Sequence, residues 1–157
     1  MGPGMPKIKS LLSMAILSIY AFGVFGLGAE KEAKEMQYNK IKVVVDGGET
    51  FTAILSDNSS ARALIELLKN GDITIDMEDY ANMEKVGPLG KKLPRNDAPI
   101  TTSCGDLILY QGKYFVIYYA RNSWSLTRLG RIEGASSEQI RSVLGEGGVR
   151  VRLSIDD

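Results

Sequence analysis

Between Cys104 and Tyr119 the chain reads Cys-Gly-Asp-Leu-Ile-Leu-Tyr-Gln-Gly-Lys-Tyr-Phe-Val-Ile-Tyr-Tyr. Two apolar runs rich in β-branched and aromatic residues, Leu107–Tyr110 and Tyr114–Tyr119, flank the connection Gln111-Gly112-Lys113. Such runs on either side of a short, glycine-containing connection predict a β-hairpin. Both runs are apolar at successive positions, so both faces of the hairpin should be covered. We therefore expect a β-rich core with this hairpin at its centre.

A second hairpin is predicted upstream. Lys40–Val45 and Glu49–Leu55 alternate apolar with polar residues, and Asp46-Gly47-Gly48 joins them. Glycine tolerates the positive φ of tight hairpin turns, which makes this connection a strong turn signal. We expect this hairpin to pack one apolar face on the core.

Two short helices are predicted by capping residues and helical spacing. Ser56–Ser59 offers several N-caps before a helix whose apolar residues lead up to Asn70-Gly71. Ser136 and Gln139 form a Ser-x-x-Gln capping box, and Gly145 ends the helix that follows.

The sequence signals for the remaining strands are weaker. Asp72–Met77, Leu126–Glu133 and Val149–Ile155 have strand patterns, and Ala120–Ser125 is interpreted as a polar turn around its tryptophan. Glu78–Thr102 has three prolines, two glycines and no periodicity, which predicts a long functional loop. Together these patterns predict a mostly β fold with about seven strands, a closed or nearly closed antiparallel β-barrel with two short helices.

The N-terminal segment differs from the rest of the chain. Lys7 and Lys9 precede the uncharged apolar run Leu11–Leu27, which small residues and then charged residues follow. This layout predicts a signal peptide or N-terminal membrane anchor over residues 1–29, with cleavage after Ala29 if it is cut. Residues 30–38 are interpreted as a flexible tether and residues 39–157 as the folded domain. The protein is therefore expected to be exported, and to meet a membrane only through a retained N-terminal segment.

Composition excludes several classes of function. The chain has 19 basic and 19 acidic side chains, and removing residues 1–29 would leave a net charge of −2, which predicts no nucleic-acid partner. The absence of histidine argues against Ser-His and Cys-His catalysis and against most zinc sites. Cys104, the single cysteine, is interpreted as a small apolar residue. Asp76, Glu78 and Asp79 lack the further oxygen ligands of a calcium loop, so we assign no metal, cofactor or catalytic residue.

The order of several short motifs resembles the small bacterial and archaeal cyclophilin-like domain proteins. The resemblance covers nearly all of residues 39–155. After the first hairpin, the motifs that carry it are Ser60-Ala-Arg-Ala-Leu64, Asp76-Met-Glu-Asp-Tyr80, Glu84-Lys-Val-Gly87, Leu93-Pro94, Gly105-Asp-Leu107, Tyr114–Tyr119 and Leu129-Gly-Arg-Ile132. It implies a cyclophilin-type β-barrel capped by helices, in a family whose role is largely undetermined.

Prolyl isomerase activity does not follow from this resemblance. True cyclophilins have a Phe-His-Arg segment, a Gln-Phe-Phe strand and a later tryptophan and histidine, and this chain has neither segment and no histidine. Isomerisation needs only an apolar cup and a placed donor, because its barrier is torsional. Weak activity therefore remains the alternative, with a donor among Arg95, Arg121 and Arg128 and an apolar wall among Phe115, Tyr118 and Trp124.

The leading hypothesis is a binding module without catalytic activity. Aromatic residues and an arginine in a turn after a central strand are typical of recognition surfaces. We predict a groove for a peptide or small molecule, flanked by the long loop and the turn, with Tyr80, Arg95, Tyr118, Arg121 and Trp124 as ligand-binding residues. A further alternative is an accessory domain of a membrane or redox partner.

Overall fold

A computed structural model of the chain describes residues 39–157, which form nine strands and two helices. The interpretations of residues 1–29 and 30–38 concern a part of the chain outside this range. Within residues 39–157, neither helix combines the length and the apolar content needed to cross a membrane. In chain order the elements are β1 (Lys40–Val45), β2 (Thr50–Leu55), α1 (Ser59–Lys69), β3 (Ile73–Tyr80), β4 (Glu84–Pro88), β5 (Ala98–Thr101), β6 (Asp106–Tyr110), β7 (Tyr114–Tyr118), β8 (Ser123–Glu133), α2 (Ser137–Leu144) and β9 (Val149–Ile155).

Eight of the strands close into an antiparallel barrel in the order β1-β9-β3-β4-β7-β6-β8-β2. The pairing of β2 with β8, which sets Ala53 opposite Ile132, completes the ring. β5 pairs only with the first part of β8 and is an additional strand. Closure removes the unpaired edges that an open sheet would leave. The predicted mostly β, closed antiparallel barrel with two helices is confirmed.

The two helices cover opposite ends of the barrel. Asn58 caps the N-terminus of α1, its side chain accepting a hydrogen bond of 2.8 Å from the Ala61 amide, and the helix packs against β8 and β9. Ser136 caps the N-terminus of α2 by accepting from the Gln139 amide at 3.1 Å, and Gly145 caps its C-terminus, as the sequence predicts. We call these the α1 end and the α2 end.

The central hairpin is β6 and β7, and both of its faces are covered. Leu107, Leu109, Phe115 and Ile117 lie in the main core inside the barrel. The alternate residues Ile108, Val116 and Tyr118 point outward, where they pack with Leu126 in a second apolar cluster. We call these four residues the outer cluster, and the strand pair of β5 with residues 123–126 of β8 the ribbon, because it lies over them. The hairpin is apolar at successive positions because one face packs inside the barrel and the other packs in the outer cluster.

The long loop predicted for Glu78–Thr102 is wrong, because this segment contains the end of β3 and all of β4 and β5. In β4 the inward positions are Lys85 and Gly87 instead of apolar residues, so the alternation that identifies a half-buried strand is missing. The turn before β4 is also not predicted by the sequence, because Ala81 and Asn82 both adopt a φ of 54° although neither is a glycine. The polar turn predicted for Ala120–Ser125 is also wrong in its second half, which begins β8.

Candidate functional site

The margin of the outer cluster at the α2 end is formed by neighbouring strands. Tyr80 of β3, Glu84 of β4 and Tyr118 of β7 lie opposite one another in one row across the outer face of the barrel. Tyr80 is 60% exposed, Glu84 is half-buried and Tyr118 is buried. The row therefore runs from a solvent-facing aromatic ring to the edge of an apolar cluster.

Glu84 and Tyr118 share a hydrogen bond in which the phenol donates to the carboxylate. The Tyr118 oxygen also accepts from the Asn122 amide nitrogen at 3.1 Å. Burial raises the pKa of Glu84, and the negative charge of Asp79 adds to this rise while the Tyr118 bond opposes it. Burial and the bond to Glu84 raise the pKa of Tyr118. This margin thus offers a partly buried carboxyl group beside apolar surface.

Trp124 lies on the ribbon, opposite Ile100 of β5. Strand alternation puts its side chain on the same face as Leu126, which is buried in the outer cluster. The indole is nevertheless 64% exposed. Arg121 is exposed in the short connection between β7 and the ribbon, at the α2 end. The structure therefore brings Tyr80, Tyr118, Arg121 and Trp124 to the outer face and the α2 end of the barrel.

Arg95 lies elsewhere. It sits at the α1 end beside the β6–β7 turn, where a Cβ added to Gly112 would be 3.3 Å from its Cγ. Its Nε donates to Asp97 at 2.9 Å, and Asp97 accepts a second bond of 2.7 Å from Thr127. The Thr127 bond and then the Arg95 charge hold the pKa of Asp97 below its usual range. The predicted grouping of Arg95 with the other four residues is not observed, because β7 separates the two ends.

A buried lysine closes the α2 end from inside. The Lys85 ammonium donates to Asp79 at 3.0 Å and to the carbonyls of Gly145 and Gly147 at 2.8 and 2.7 Å. All three of its protons are used, so its charge is compensated without water. The Tyr119 hydroxyl donates to Asp79, lowering the pKa of that carboxyl, and burial with this bond raises the pKa of Tyr119 to about 12. We assign this group a structural role.

The acidic cluster identified in the sequence is divided between the two faces of β3. Asp76 points outward and pairs with Arg150 at 2.6 Å, whereas Asp79 points inward to Lys85. From residue 39 onward, no three acidic or cysteine side chains are close enough to hold a metal ion. Cys104 packs against the main core, and its thiol faces the Ser137 carbonyl at 3.6 Å.

The motifs that carry the resemblance make structural contacts. Asp106 lies opposite Arg131 and accepts from its Nε at 2.7 Å, and Leu107 lies opposite Gly130. Asp79 binds Lys85 in the same way. These residues hold strands of the barrel together, so the motifs mark the scaffold and leave the ligand site unassigned.

Sequence reasoning missed Glu84 and Asn122, which both bind Tyr118. For Glu84 the usable signal was weak, because the strand that carries it lacks apolar alternation. A three-residue turn, Ala81-Asn82-Met83, places Glu84 opposite Tyr80, and so in the outer row.

Comparisons with known proteins agree with the fold. A family model described as the cyclophilin-like family matches residues 44–155. Among curated protein sequences, none matches the chain. The structure of McbB in complex with tryptophan superposes with a TM-score of 0.54 at 16% identity, covering 73% of this chain and 44% of McbB. This chain thus spans less than half the length of that protein. The solution structure of a hypothetical protein from Archaeoglobus fulgidus superposes with a TM-score of 0.52 at 12% identity, covering 76% of this chain and 96% of the other.

Proposed function

This chain belongs to the cyclophilin-like family, and on that premise we propose that it is an exported binding module for a peptide or small molecule, without catalytic activity of its own. Family and fold do not by themselves identify a ligand, so the proposal depends on the surface. The observation that carries it is the exposure of two aromatic side chains, Trp124 and Tyr80, at the margin of the outer cluster.

Exposed aromatic rings beside a buried apolar patch are the usual anchors of a recognition surface. A ligand that covered Trp124 and Tyr80 would remove their rings from water and extend the apolar cluster below them. Glu84 lies in the same row and offers a carboxyl group for a ligand amide or hydroxyl. Arg121 adds an exposed donor at the same end. The surface therefore suits a ligand with one apolar or aromatic group and one polar group.

Aromatic amino acids and short peptides that contain them are the first ligands to test. They have the required combination of a flat apolar group and hydrogen-bonding groups. The presence of tryptophan in the McbB structure adds free tryptophan to this panel.

The chain has a built-in probe for the test, because Trp124 is its single tryptophan. Titration of the full chain with phenylalanine and with phenylalanine-containing peptides should shift the indole emission to shorter wavelength as the ring leaves water. Calorimetry replaces fluorescence for free tryptophan. Trp124→Ala should weaken binding by about tenfold or more, the size expected for a central aromatic contact.

Arg95→Gln is the matched control, because Arg95 is exposed but lies at the opposite end of β7. It should leave the affinity unchanged. Equal weakening by both variants, or binding that Trp124→Ala does not affect, would place the site elsewhere. Failure of every probe would remove peptides and aromatic amino acids as ligands.

Export is the second part of the proposal. The two lysines, apolar run and small residues before Glu30 support it, since this is the order of a secretory signal. Cell fractionation followed by mass spectrometry of the N-terminus tests it. Cleavage should give a chain that begins at Glu30, whereas a retained anchor should leave the chain in the membrane fraction. Recovery of the whole chain from the cytosol would contradict export.

Weak prolyl isomerase activity is the second candidate function. Arg128 favours it, since it lies opposite Ile108 of the outer cluster with about a third of its side chain exposed. An apolar patch beside such a donor meets the minimal need of this reaction. Exchange spectroscopy on a proline peptide decides the point. Acceleration that Arg128→Lys abolishes would support the activity, and no acceleration at high protein concentration would exclude it.

A further inference from the structure

The segment Leu89–Leu93 forms a fixed loop at the α1 end of the barrel. Both terminal leucines are buried, and their amides donate to the β6–β7 turn, from Leu89 to the Lys113 carbonyl at 2.9 Å and from Leu93 to the Gly112 carbonyl at 2.8 Å. The three residues between the leucines, Gly90-Lys91-Lys92, are exposed. Two apolar anchors and two hydrogen bonds therefore hold this exposed segment beside the turn.

A cleft of about 290 Å³ lies between the loop and the turn. Lys91 and Lys92 come from the loop, Lys113 from the turn, and Pro88 with Tyr114 from the adjoining strands. The Lys113 ammonium lies 5.4 Å from the centre of the Tyr114 ring. Three lysines and a flat apolar wall thus share one small cleft.

The charge in this cleft is unusual for the molecule. Between residues 39 and 157 there are fifteen lysines and arginines, and nine of them form ion pairs. In that part of the chain, Lys91, Lys92 and Lys113 have no carboxylate partner, so half of the six remaining cations line one cleft. Asp72 lies in a neighbouring cleft with Lys91 but is paired with Arg152 at 2.7 Å.

Three lysines line one cleft, and their combined positive charge would attract an anion bound there. The cleft contains lysines and no arginine. The planar fork of arginine matches carboxylates and phosphates alike, whereas lysine binds as a compact point charge. Three lysines therefore favour the ligand group with the larger negative charge, which is a phosphate instead of a carboxylate. The volume is close to the lower limit of about 300 Å³ for small-molecule pockets. It leaves room for a phosphate and a flat group against Tyr114.

From this arrangement we propose that the cleft binds a small phosphate monoester with a flat apolar group. The phosphate lies among Lys91, Lys92 and Lys113, and the apolar group lies against Tyr114 and Pro88. This site is at the opposite end of β7 from Tyr118, so the proposal does not rest on the function proposed above.

Phenyl phosphate, inorganic phosphate and benzoate are the probes, titrated into the full chain by calorimetry and by amide chemical shifts. Phenyl phosphate should bind most tightly, about tenfold better than benzoate because it carries a second negative charge. It should also bind more tightly than inorganic phosphate, because only the ester has a ring for Tyr114. The amide shifts should concentrate at residues 89–93 and 112–114, and the affinity should fall as salt is added.

The double variant Lys91→Gln/Lys113→Gln should weaken phenyl phosphate by about tenfold or more. Lys40→Gln/Lys42→Gln removes the same charge from β1 and should leave the affinity unchanged. Equal weakening by both doubles, or shifts spread over all lysines, would overturn the proposal in favour of general attraction to a basic surface. Benzoate binding as tightly as phenyl phosphate would overturn the assignment to phosphate.

Discussion

The ammonium of Lys85 lies 3.0 Å from the carboxylate of Asp79, and Lys85 is completely buried. The same ammonium is 5.3 Å from the centre of the Tyr119 ring and binds two carbonyls of the segment after α2. This one side chain connects β3, β4, β7 and the approach to β9. The α2 end of the barrel therefore depends on a buried charge for which these protein atoms replace water.

Lys85→Met should destabilise the fold by about 3 kcal/mol or more. Methionine has similar length, but it removes the positive charge beside Asp79 and the donor to the carbonyls of Gly145 and Gly147, which is the costly way to break a buried ion pair. The midpoint of urea unfolding measures the change. Lys40→Met is the control, because Lys40 is exposed, and it should change stability by less than about 0.5 kcal/mol. Similar midpoints for the two variants would contradict the role of Lys85.

Acid should remove the contribution of the Asp79 carboxylate to the free energy of unfolding. The Tyr119 bond, with the Lys85 charge, lowers the pKa of this carboxyl in the folded chain, so its stabilisation is present above the unfolded pKa. It is lost as pH falls through the lowered folded pKa. The free energy of unfolding, measured from about pH 6 to about pH 2, should therefore fall more steeply for the wild type than for Asp79→Asn. Parallel curves would show that Asp79 makes no such contribution.

Tyr119 should lose its contribution to stability when the pH is raised, whereas Asp79 loses its contribution when the pH is lowered. Its folded pKa of about 12 lies above the unfolded value of about 10, so its contribution to stability is complete below pH 10 and is lost as pH rises through 12. Tyr119→Phe should remove one phenolate from the absorbance change near pH 12 and cost about 1 kcal/mol through the lost hydrogen bond. In urea-unfolded protein the same substitution should remove a phenolate near pH 10 instead. Loss at the same pH in both states would contradict the raised pKa.

Gly130→Ala should disrupt the pairing of β2 with β8 that closes the barrel. A Cβ at this position would lie 2.3 Å from the Ile54 carbonyl oxygen, a backbone atom that cannot move without shifting the strand. We expect a loss of about 3 kcal/mol or more, beyond the usual effect of a single substitution. Gly134→Ala is the control, because it meets a positive φ of 75° but open space, and it should cost about 1 kcal/mol. Equal losses of stability in the two variants would show that the β2–β8 pairing tolerates a side chain at position 130.

Much of the barrel could be predicted because its signals are local. The Asp46-Gly47-Gly48 turn, the central hairpin and both helix caps depend on residues near one another in the chain, and each was found where the sequence predicts it. β4 could not be predicted, because its inward residue Lys85 is stabilised by atoms about sixty positions away. A polar residue in the core becomes intelligible only when its partners are known.

The candidate site was predicted less well than the fold. The sequence identified Trp124 and Tyr80 as candidate binding residues, and both are exposed on the outer face. The sequence also groups them with Arg95, because it predicts one long loop that holds both Arg95 and Tyr80. The strand β4, which lies between Tyr80 and Arg95 in the chain, carries Arg95 to the other end of the barrel. No local pattern specifies such a separation.

Sequence alone determined that this chain has a central apolar hairpin, two capped helices and a mostly β fold, because backbone propensity and apolar periodicity act over a few residues. Tertiary structure decided which strand neighbours which, how Glu84 meets Tyr118, and where three lysines converge. These relationships arise when the barrel closes, since closure brings together side chains that lie far apart along the chain.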